Sequence, residues 1–296
     1  MTLIALALGL ALEHLATAIL HLRELRWFDT YYDFAIRLIS DWPRWGIYCG
    51  LILILAVPAL PVFLFSNYLQ GSNILWDLDY LAFAVLIVFF CLGPRDLGSE
   101  VDEFCHARDS GDDDAADRVL REMSEAERPR VNDIEVVEDA IFVQSINRIF
   151  GVIFWFVVLG PVGAWIFRVS DLLRRRVVYQ HLRAEQDNET ILEAIEAIYG
   201  ILKWIPARLA MLGYALSGSF DDAMNAWRSE LSAAGTPVDV RNDMLVARVG
   251  KSAMTGYLDE PANSSAAAHN SMRIVHRTVF LWVFVIAVLT LFGLAL

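Results

Sequence analysis

The sequence predicts an all-α integral membrane protein with about five hydrophobic segments, one of them broken or re-entrant, and with helical cytoplasmic regions. Hydrophobic residues make up 56% of the 296 positions and the mean hydropathy is +0.45, yet 36 acidic residues remain for polar regions. All 24 basic residues lie outside four stretches, 1–22, 45–94, 149–167 and 278–296. No stretch has the pattern of a strong β-strand. Apolar helices in a membrane, separated by polar helical regions, account for this pattern.

The five apolar segments cover about 3–20, 46–65, 75–93, 149–167 and 278–296. The positive-inside rule orients the first three. The connection 23–44 carries four arginines and is predicted to be cytoplasmic, whereas 66–74 has no Lys or Arg and is predicted to be periplasmic. The chain then returns to the cytoplasm at Arg95, which leaves the N-terminus outside.

The fourth segment, 149–167, is long enough to cross a hydrocarbon core but contains Gly160-Pro161. Proline lacks an N–H and clashes with the preceding turn, so the helix should break there. A simple crossing would put a strongly basic region in the periplasm, whereas a segment that enters, breaks and returns keeps both polar regions cytoplasmic. We favour the re-entrant path and retain the crossing as the alternative, because long regions can translocate despite their charge.

The chain is predicted to have five regions. They are an N-terminal membrane region with three segments (1–95), a helical cytoplasmic loop (96–148), the broken membrane segment (149–171), a helical cytoplasmic region (172–265) and a C-terminal membrane helix (266–296). Within 172–265, apolar residues at helical spacing predict a helix over 191–202. Pro206 is expected to open the next helix, because proline suits a first turn.

The composition and the motifs also argue against several classes of function. A net charge of −12 argues against nucleic-acid binding, which requires basic patches. The acidic run 109–117 lacks the spacing of a calcium loop, and His21 with Glu24 lacks further ligands, so no metal site is predicted. The sequence has no Walker loop and no G-x-S-x-G motif. We therefore predict no catalytic residue and no cofactor, and expect membrane lipids as partners.

Two ionisable residues lie inside the first apolar segment. Glu13 and His14 belong to a polar stripe on that predicted helix. Because charged groups in a membrane are costly, a ligand-binding or proton-relay face is one interpretation. The alternative is a buried structural contact, with Glu13 neutral or paired with an arginine.

Arginines mark the ends of the broken segment. Arg148 and Arg168 bracket it, and Arg208 follows Trp204-Ile205-Pro206-Ala207. Arginine binds phosphate and carboxylate groups bidentately, so these side chains are candidates for an anionic small-molecule ligand. The alternatives are snorkelling at the membrane interface and a simple helix junction at Pro206. The run Arg174-Arg175-Arg176 is more typical of an anchor on anionic lipid.

Several motifs carry a family resemblance. They are Arg148-x-Phe150-x-x-x-Phe154-Trp155-Phe156, Leu159-Gly160-Pro161-x-Gly163-Ala164, Phe167-Arg168, Trp204-Ile205-Pro206-Ala207-Arg208-Leu209, Tyr214-Ala215-Leu216 and Ala226-Trp227. In these motifs the chain resembles the AmpE family of inner-membrane proteins. The resemblance implies a multi-pass protein of the bacterial inner membrane. It also implies a regulatory role linked to cell-wall recycling and β-lactamase induction, with protein partners in that pathway.

AmpE proteins are similar in turn to the cobalamin-pathway amide synthases CbiB and CobD. Asp171 occupies the place where those synthases have a polar asparagine motif, which adds it to the candidate ligand site. The chain then departs from their pattern with Leu172-Leu173-Arg174. Enzymatic activity is therefore left open, with an ATP-dependent amide-forming ligase as the alternative to a regulator. A transporter is a further alternative, since broken helices are common in transporters.

Overall fold

The computed structural model describes residues 2–15, 27–71, 78–92, 96–124, 134–182, 189–230, 238–255 and 263–292. These residues confirm the all-α class, because they form twelve α-helices and one π-helical turn and contain no β-strand. The helices are α1 (Thr2–Leu15), α2 (Trp27–Ile39), α3 (Arg44–Gly71), α4 (Leu78–Cys91), α5 (Leu97–Ser110), α6 (Asp113–Ser124), α7 (Ile134–Ser145), α8 (Gly151–Leu182), α9 (Glu189–Ser217), α10 (Phe220–Glu230), α11 (Val238–Met254) and α12 (Ser264–Leu291). The π-helical turn, Ile146–Phe150, joins α7 to α8.

Three helical stretches of the described chain are long and apolar enough to cross a membrane. They are Arg44–Gln70, Ile134–His181 and Ser264–Leu291, and Leu78–Cys91 is a shorter apolar helix. The predicted helix running from about residue 266 into the last apolar segment is confirmed by α12. In the first apolar segment, α1 ends at Leu15 and residues 16–20 lie outside the described part of the chain. The protein is therefore a multi-pass membrane protein.

The chain forms two compact units, each assembled from separated stretches. The first unit comprises Met1–Pro94, Gly151–Leu202 and Val288–Leu296, and the second comprises Arg95–Phe150 and Lys203–Ala287. In the first unit α1 packs on α4, and α3 and α4 pack on α8. In the second unit an apolar core joins α5, α6 and α7 to parts of α9, α11 and α12. Tyr214 lies at its centre, in edge contact with Phe142 and Phe150.

The predicted break in the fourth apolar segment is confirmed at Gly160. This residue has φ 67° and ψ −155°, a conformation that is open essentially only to glycine. Gly163 then lies against the carbonyl of Trp155, eight positions earlier. In a regular helix those two residues would be about 12 Å apart along the axis. The chain of α8 therefore turns back at Gly160, and 161–182 packs beside 151–159 at this point.

The prediction of a new helix at Pro206 is wrong, because α9 continues from Glu189 to Ser217 with the proline inside it. Proline cannot donate to the carbonyl four residues earlier, which is that of Leu202. Trp155 replaces the missing donor, with its Nε1 3.0 Å from the Leu202 oxygen. A side chain distant in sequence thus satisfies the backbone group that the proline leaves open.

A side-chain donor likewise supplies a missing backbone hydrogen bond in α3, which contains Pro58. The carbonyl left without its helical donor is that of Ile54, and the Tyr31 hydroxyl donates to it at 2.9 Å. Tyr31 comes from α2, so this bond also fixes α2 against α3. Tertiary contacts thus supply a donor to the carbonyl that each of these two prolines leaves open, and both prolines lie within continuous helices.

Candidate functional site

Three arginines converge on one carboxylate in the returning part of α8. Arg168 Nη1 lies 2.9 Å from Asp171 Oδ2, Arg175 Nε lies 3.0 Å from the same oxygen, and Arg174 Nη2 lies 3.5 Å from Oδ1. The spacings i, i+3 and i+4 bring these side chains to one side of the helix. We call these four residues the Asp171 cluster. It belongs to the first unit.

The Asp171 cluster is buried on one side and partly exposed on the other. The side chains of Asp171 and Arg168 are 0% and 1% exposed, whereas that of Arg175 is 23% exposed. Buried charges are tolerated when they are paired and hydrogen-bonded, which the convergence on Asp171 provides. Among these side chains Arg175 is the one that an external anion can reach most directly.

Helix α2 packs against the same part of α8. The Tyr32 hydroxyl donates to the Val169 carbonyl at 3.0 Å. Arg176 donates to both carboxylate oxygens of Asp33 at 2.7 and 2.6 Å, and Gln180 donates to one of them at 2.7 Å. Burial raises the pKa of Tyr32, so its hydroxyl remains a hydrogen-bond donor at neutral pH. These bonds fix the helix that carries the cluster.

Aromatic rings from α8 and α9 flank the cluster. Phe167 and Tyr199 are stacked with ring centroids 5.4 Å apart, and the Arg174 guanidinium carbon lies 5.1 Å from the Tyr199 centroid. Such a cation–π contact orients the guanidinium as well as stabilising it. The contacts do not favour the expected membrane-surface anchor at Arg174, Arg175 and Arg176, because all three contact carboxylates of the protein.

An apolar cavity of 330 Å³ lies elsewhere in the first unit. Its lining residues are Ile52, Leu55, Ala56, Ile166, Ile198, Ile201 and Leu202. All of these described lining residues are apolar, so the cavity suits an apolar group rather than an anion.

Arg148, the arginine before the broken segment, is in the second unit. Its Nη1 lies 2.7 Å from Glu100 Oε2 and its Nε donates to Gln144 Oε1 at 3.1 Å. The side chains of Arg148 and Glu100 are 3% and 5% exposed. The pair joins α5 to the π-helical turn, and this geometry favours a structural ion pair for Arg148.

Arg208 is also in the second unit, where it stacks on Trp204 with its guanidinium carbon 4.2 Å from the ring centroid. Its Nη1 donates to Asn242 Oδ1 at 2.8 Å. Nearby in sequence, the fully buried Lys203 pairs with Asp243 at 2.5 Å. Lys203 is not among the residues predicted from the sequence, although a lysine within an apolar helical run is a signal for a buried ion pair.

A thiol and an imidazole also approach each other in the second unit. Cys105 Sγ lies 3.4 Å from His269 Nδ1 and 3.6 Å from the Ser265 carbonyl oxygen. Burial raises the pKa of the Cys105 thiol to about 11. The group is therefore protonated at neutral pH, which argues against a nucleophilic role.

The other candidate residues can be placed only in part. Glu13 and His14 lie in α1, but their side chains are outside the described part of the structure. Of the candidates whose side chains are described, Arg168 and Asp171 are brought into contact, while Arg148 and Arg208 belong to the other unit. Within the described residues, no group of three His, Cys, Asp or Glu side chains is arranged to hold a metal ion.

This chain is similar to two kinds of known protein, one over most of its length and the other over about half of it. It is 24% identical over 241 residues to protein AmpE of Shigella flexneri, covering 78% of this chain and 80% of that protein. It is 26% identical over 158 residues to the cobalamin biosynthesis protein CobD of Stutzerimonas stutzeri, and 27% identical over 157 residues to that of Chromobacterium violaceum. These matches cover 52% and 49% of this chain, and the chain spans only about half the length of the two CobD proteins (50% and 46%).

No solved structure matches the chain. The family described as "Regulatory signalling modulator protein AmpE" matches residues 1–296. The family resemblance predicted from the motifs is thereby confirmed, and the all-helical membrane architecture agrees with it. The chain belongs to the AmpE family of regulatory membrane proteins.

Proposed function

We propose that this protein is an inner-membrane regulator of β-lactamase induction that senses an anionic product of cell-wall recycling at the Asp171 cluster. The observation that carries the proposal is the convergence of three guanidinium groups on one carboxylate, with Arg175 partly exposed. Cell-wall recycling products carry carboxylates, and arginine binds such groups with two parallel hydrogen bonds. Family membership supports the regulatory role, and the cluster supports the charge of the ligand.

The cluster also suggests how binding would be transmitted. An incoming carboxylate would compete with Asp171 for Arg175, because both are acceptors for the same guanidinium. Asp171 would then be held by Arg168 and Arg174, which alters the contacts on one side of α8. Since Arg176 and Tyr32 tie α8 to α2, a change on that side reaches α2 directly. A ligand can shift such an equilibrium only by its difference in affinity for the two arrangements.

The test is a thermal-shift titration of the full chain in lipid nanodiscs with a purified muropeptide. Binding to the folded state stabilises it by about 2.7 kcal/mol when the ligand is at 100 times its Kd. We expect the muropeptide to raise the thermal unfolding midpoint of wild type and to raise that of Arg175→Gln much less. The midpoint of Arg228→Gln, which changes an arginine of α10 in the second unit, should rise as in wild type. Equal shifts in all three proteins, or none, would reject the site.

The regulatory role needs a separate measurement in cells. A strain whose own AmpE gene is deleted would carry this chain or its variants together with an inducible β-lactamase reporter. We expect wild type and Arg228→Gln to restore the induction profile and Arg175→Gln not to restore it. Co-purification from the same strain would then identify protein partners in the pathway.

A second candidate function is an ATP-dependent, amide-forming ligase. The observation that favours it is the similarity to two CobD proteins, each named for cobalamin biosynthesis. Arg208, whose motif carries part of the resemblance, is then the residue to test. ATP hydrolysis that depends on amine and acid substrates, and that is lost in Arg208→Ala, would favour the ligase over a pure sensor. Absence of turnover together with muropeptide binding would favour the regulator.

A further inference from the structure

One side of α9 is apolar and exposed within the second unit. Ile205, Leu209, Leu212 and Leu216 are 43%, 40%, 38% and 65% exposed. At 100° per residue these four positions fall within an arc of about 60° and extend about 17 Å along the helix. We call these four residues the α9 stripe. A continuous exposed apolar surface of this kind marks a contact with another apolar phase or partner.

The opposite side of α9 is packed in the core of the second unit. Ala207, Ala210, Met211 and Tyr214 have no exposed surface. This part of the helix is therefore apolar on both sides, since its inner side is buried in protein and its outer side carries the α9 stripe. A helix whose outer side faced water would carry polar residues at the positions of the α9 stripe.

Contacts with α12 place the end of α9 beside a helix that is long and apolar enough to cross a membrane. A Cβ atom on Gly213 would overlap the Thr278 methyl group and lie 3.3 Å from Trp282 Nε1. The Thr278 hydroxyl donates to the Ser217 hydroxyl at 3.1 Å. Thr278 is the first residue of the final stretch without Lys or Arg, and α12 is apolar enough to cross a membrane. The stripe therefore lies next to the start of the part of α12 that has the composition of a membrane span.

The other end of the stripe carries residues typical of the membrane interface. Trp204 is 45% exposed and Arg208 stacks on its ring. Tryptophan is enriched at the headgroup level, and arginine extends its charged end toward water from that depth. Over the described residues α9 is not among the helices suited to cross the membrane. An orientation in the plane of the interface satisfies both the apolar stripe and this Trp–Arg pair.

We infer that α9, from Trp204 to Leu216, lies in the interfacial layer of the bilayer with the α9 stripe against lipid acyl chains. The occupant of this surface is phospholipid, because the stripe adjoins the membrane-crossing part of α12 through Gly213 and Ser217. This differs from the sequence-based expectation of a cytoplasmic location for all of 172–265. It is independent of the ligand proposed for the Asp171 cluster.

The experiment measures the depth of single labelled cysteines in the full chain reconstituted in bilayers. The background is Cys49→Ala, since Cys49 is exposed while Cys91 and Cys105 are buried. Bimane is attached at Leu212→Cys and, separately, at Leu216→Cys, which is the most exposed stripe position and tolerates a label with least disturbance of packing. Phe284→Cys on α12 is the lipid control, and Ser229→Cys on α10 is the aqueous control.

We expect acyl-brominated phosphatidylcholine to quench bimane at the stripe about twofold, as at the α12 control, because an interfacial helix buries its apolar face about 5–10 Å deep. Iodide in the buffer should quench only the α10 control strongly. Iodide quenching of both stripe labels without lipid quenching would overturn the inference. Protection from both quenchers would also overturn it, since it would identify a protein surface, such as a second copy, as the occupant. If Leu212→Cys lowers the thermal midpoint, Leu216→Cys decides the outcome.

Discussion

Replacing Gly163 by alanine tests whether the chain turns back inside α8. A Cβ at this position would overlap the Trp155 carbonyl oxygen and would lie 2.6 Å from Leu159 Cβ. Backbone atoms cannot yield as a flexible side chain can, so the two parts of α8 must separate. Overpacking of this kind costs about 1–3 kcal/mol. In an uninterrupted helix the same change would instead stabilise by about 0.5–1 kcal/mol, because alanine loses less entropy than glycine.

A chain that turns back and an uninterrupted helix thus predict stability changes of opposite sign for this substitution. The measurement is the thermal midpoint of the full chain in nanodiscs, where each kcal/mol corresponds to roughly 2–4 °C for a domain of this size. Gly46→Ala is the matched control, since Gly46 is also in an apolar helix and its nearest atoms, on Trp42 and Pro43, are at 3.4 Å. We expect a clear decrease for Gly163→Ala and no decrease for the control. A Gly163→Ala midpoint equal to or above wild type would refute the reversal.

Three further predictions use the same assay. Tyr31→Phe should lower the free energy of unfolding by about 1–3 kcal/mol, because the carbonyl that Pro58 leaves without a helical donor loses its hydrogen bond. Adding Pro58→Ala should recover most of this loss by restoring a backbone N–H, and additive effects of the two substitutions would contradict the reasoning. Arg148→Met should lower the free energy of unfolding by about 3–5 kcal/mol, because Glu100 would stay buried without its ion-pair partner. Adding Glu100→Leu should recover stability, whereas a single Arg148→Met variant as stable as wild type would show that the pair is solvated. The pKa of the Cys105 thiol is raised to about 11 in the folded protein. Its contribution to folding stability should therefore be full below about pH 8.5, the pKa of an unfolded cysteine, and should decline as the pH rises through 11. The midpoint of wild type should therefore fall relative to Cys105→Ala in that window, and parallel curves would count against a buried thiol.

The candidate site is predictable in part. Helical spacing relates Arg168 to Asp171, and the Gly-Pro pair marks the break that precedes them, so both follow from local sequence. The partners of Arg148 and Arg176 do not, because Glu100 and Asp33 are 48 and 143 positions away. The basic run favours a lipid anchor when it is considered alone, because a sequence cannot tell which side of a helix faces protein.

The continuity of α9 shows a similar limit. Proline disfavours a helix interior by local chemistry, and the sequence therefore indicates a junction at Pro206. The helix continues because Trp155 donates to the open carbonyl of Leu202, and no local rule contains that contact.

By itself, the sequence determined the helical class, the apolar segments and the position of the break, because hydrophobic length and backbone sterics act over a few consecutive residues. Only the tertiary structure decided how the two parts of α8 pack at the break, which charges distant in sequence pair, and that one side of α9 is left apolar and exposed. Those features depend on atoms that are far apart in the chain and meet only after folding. Buried charges and unfilled backbone acceptors must find partners wherever the fold supplies them.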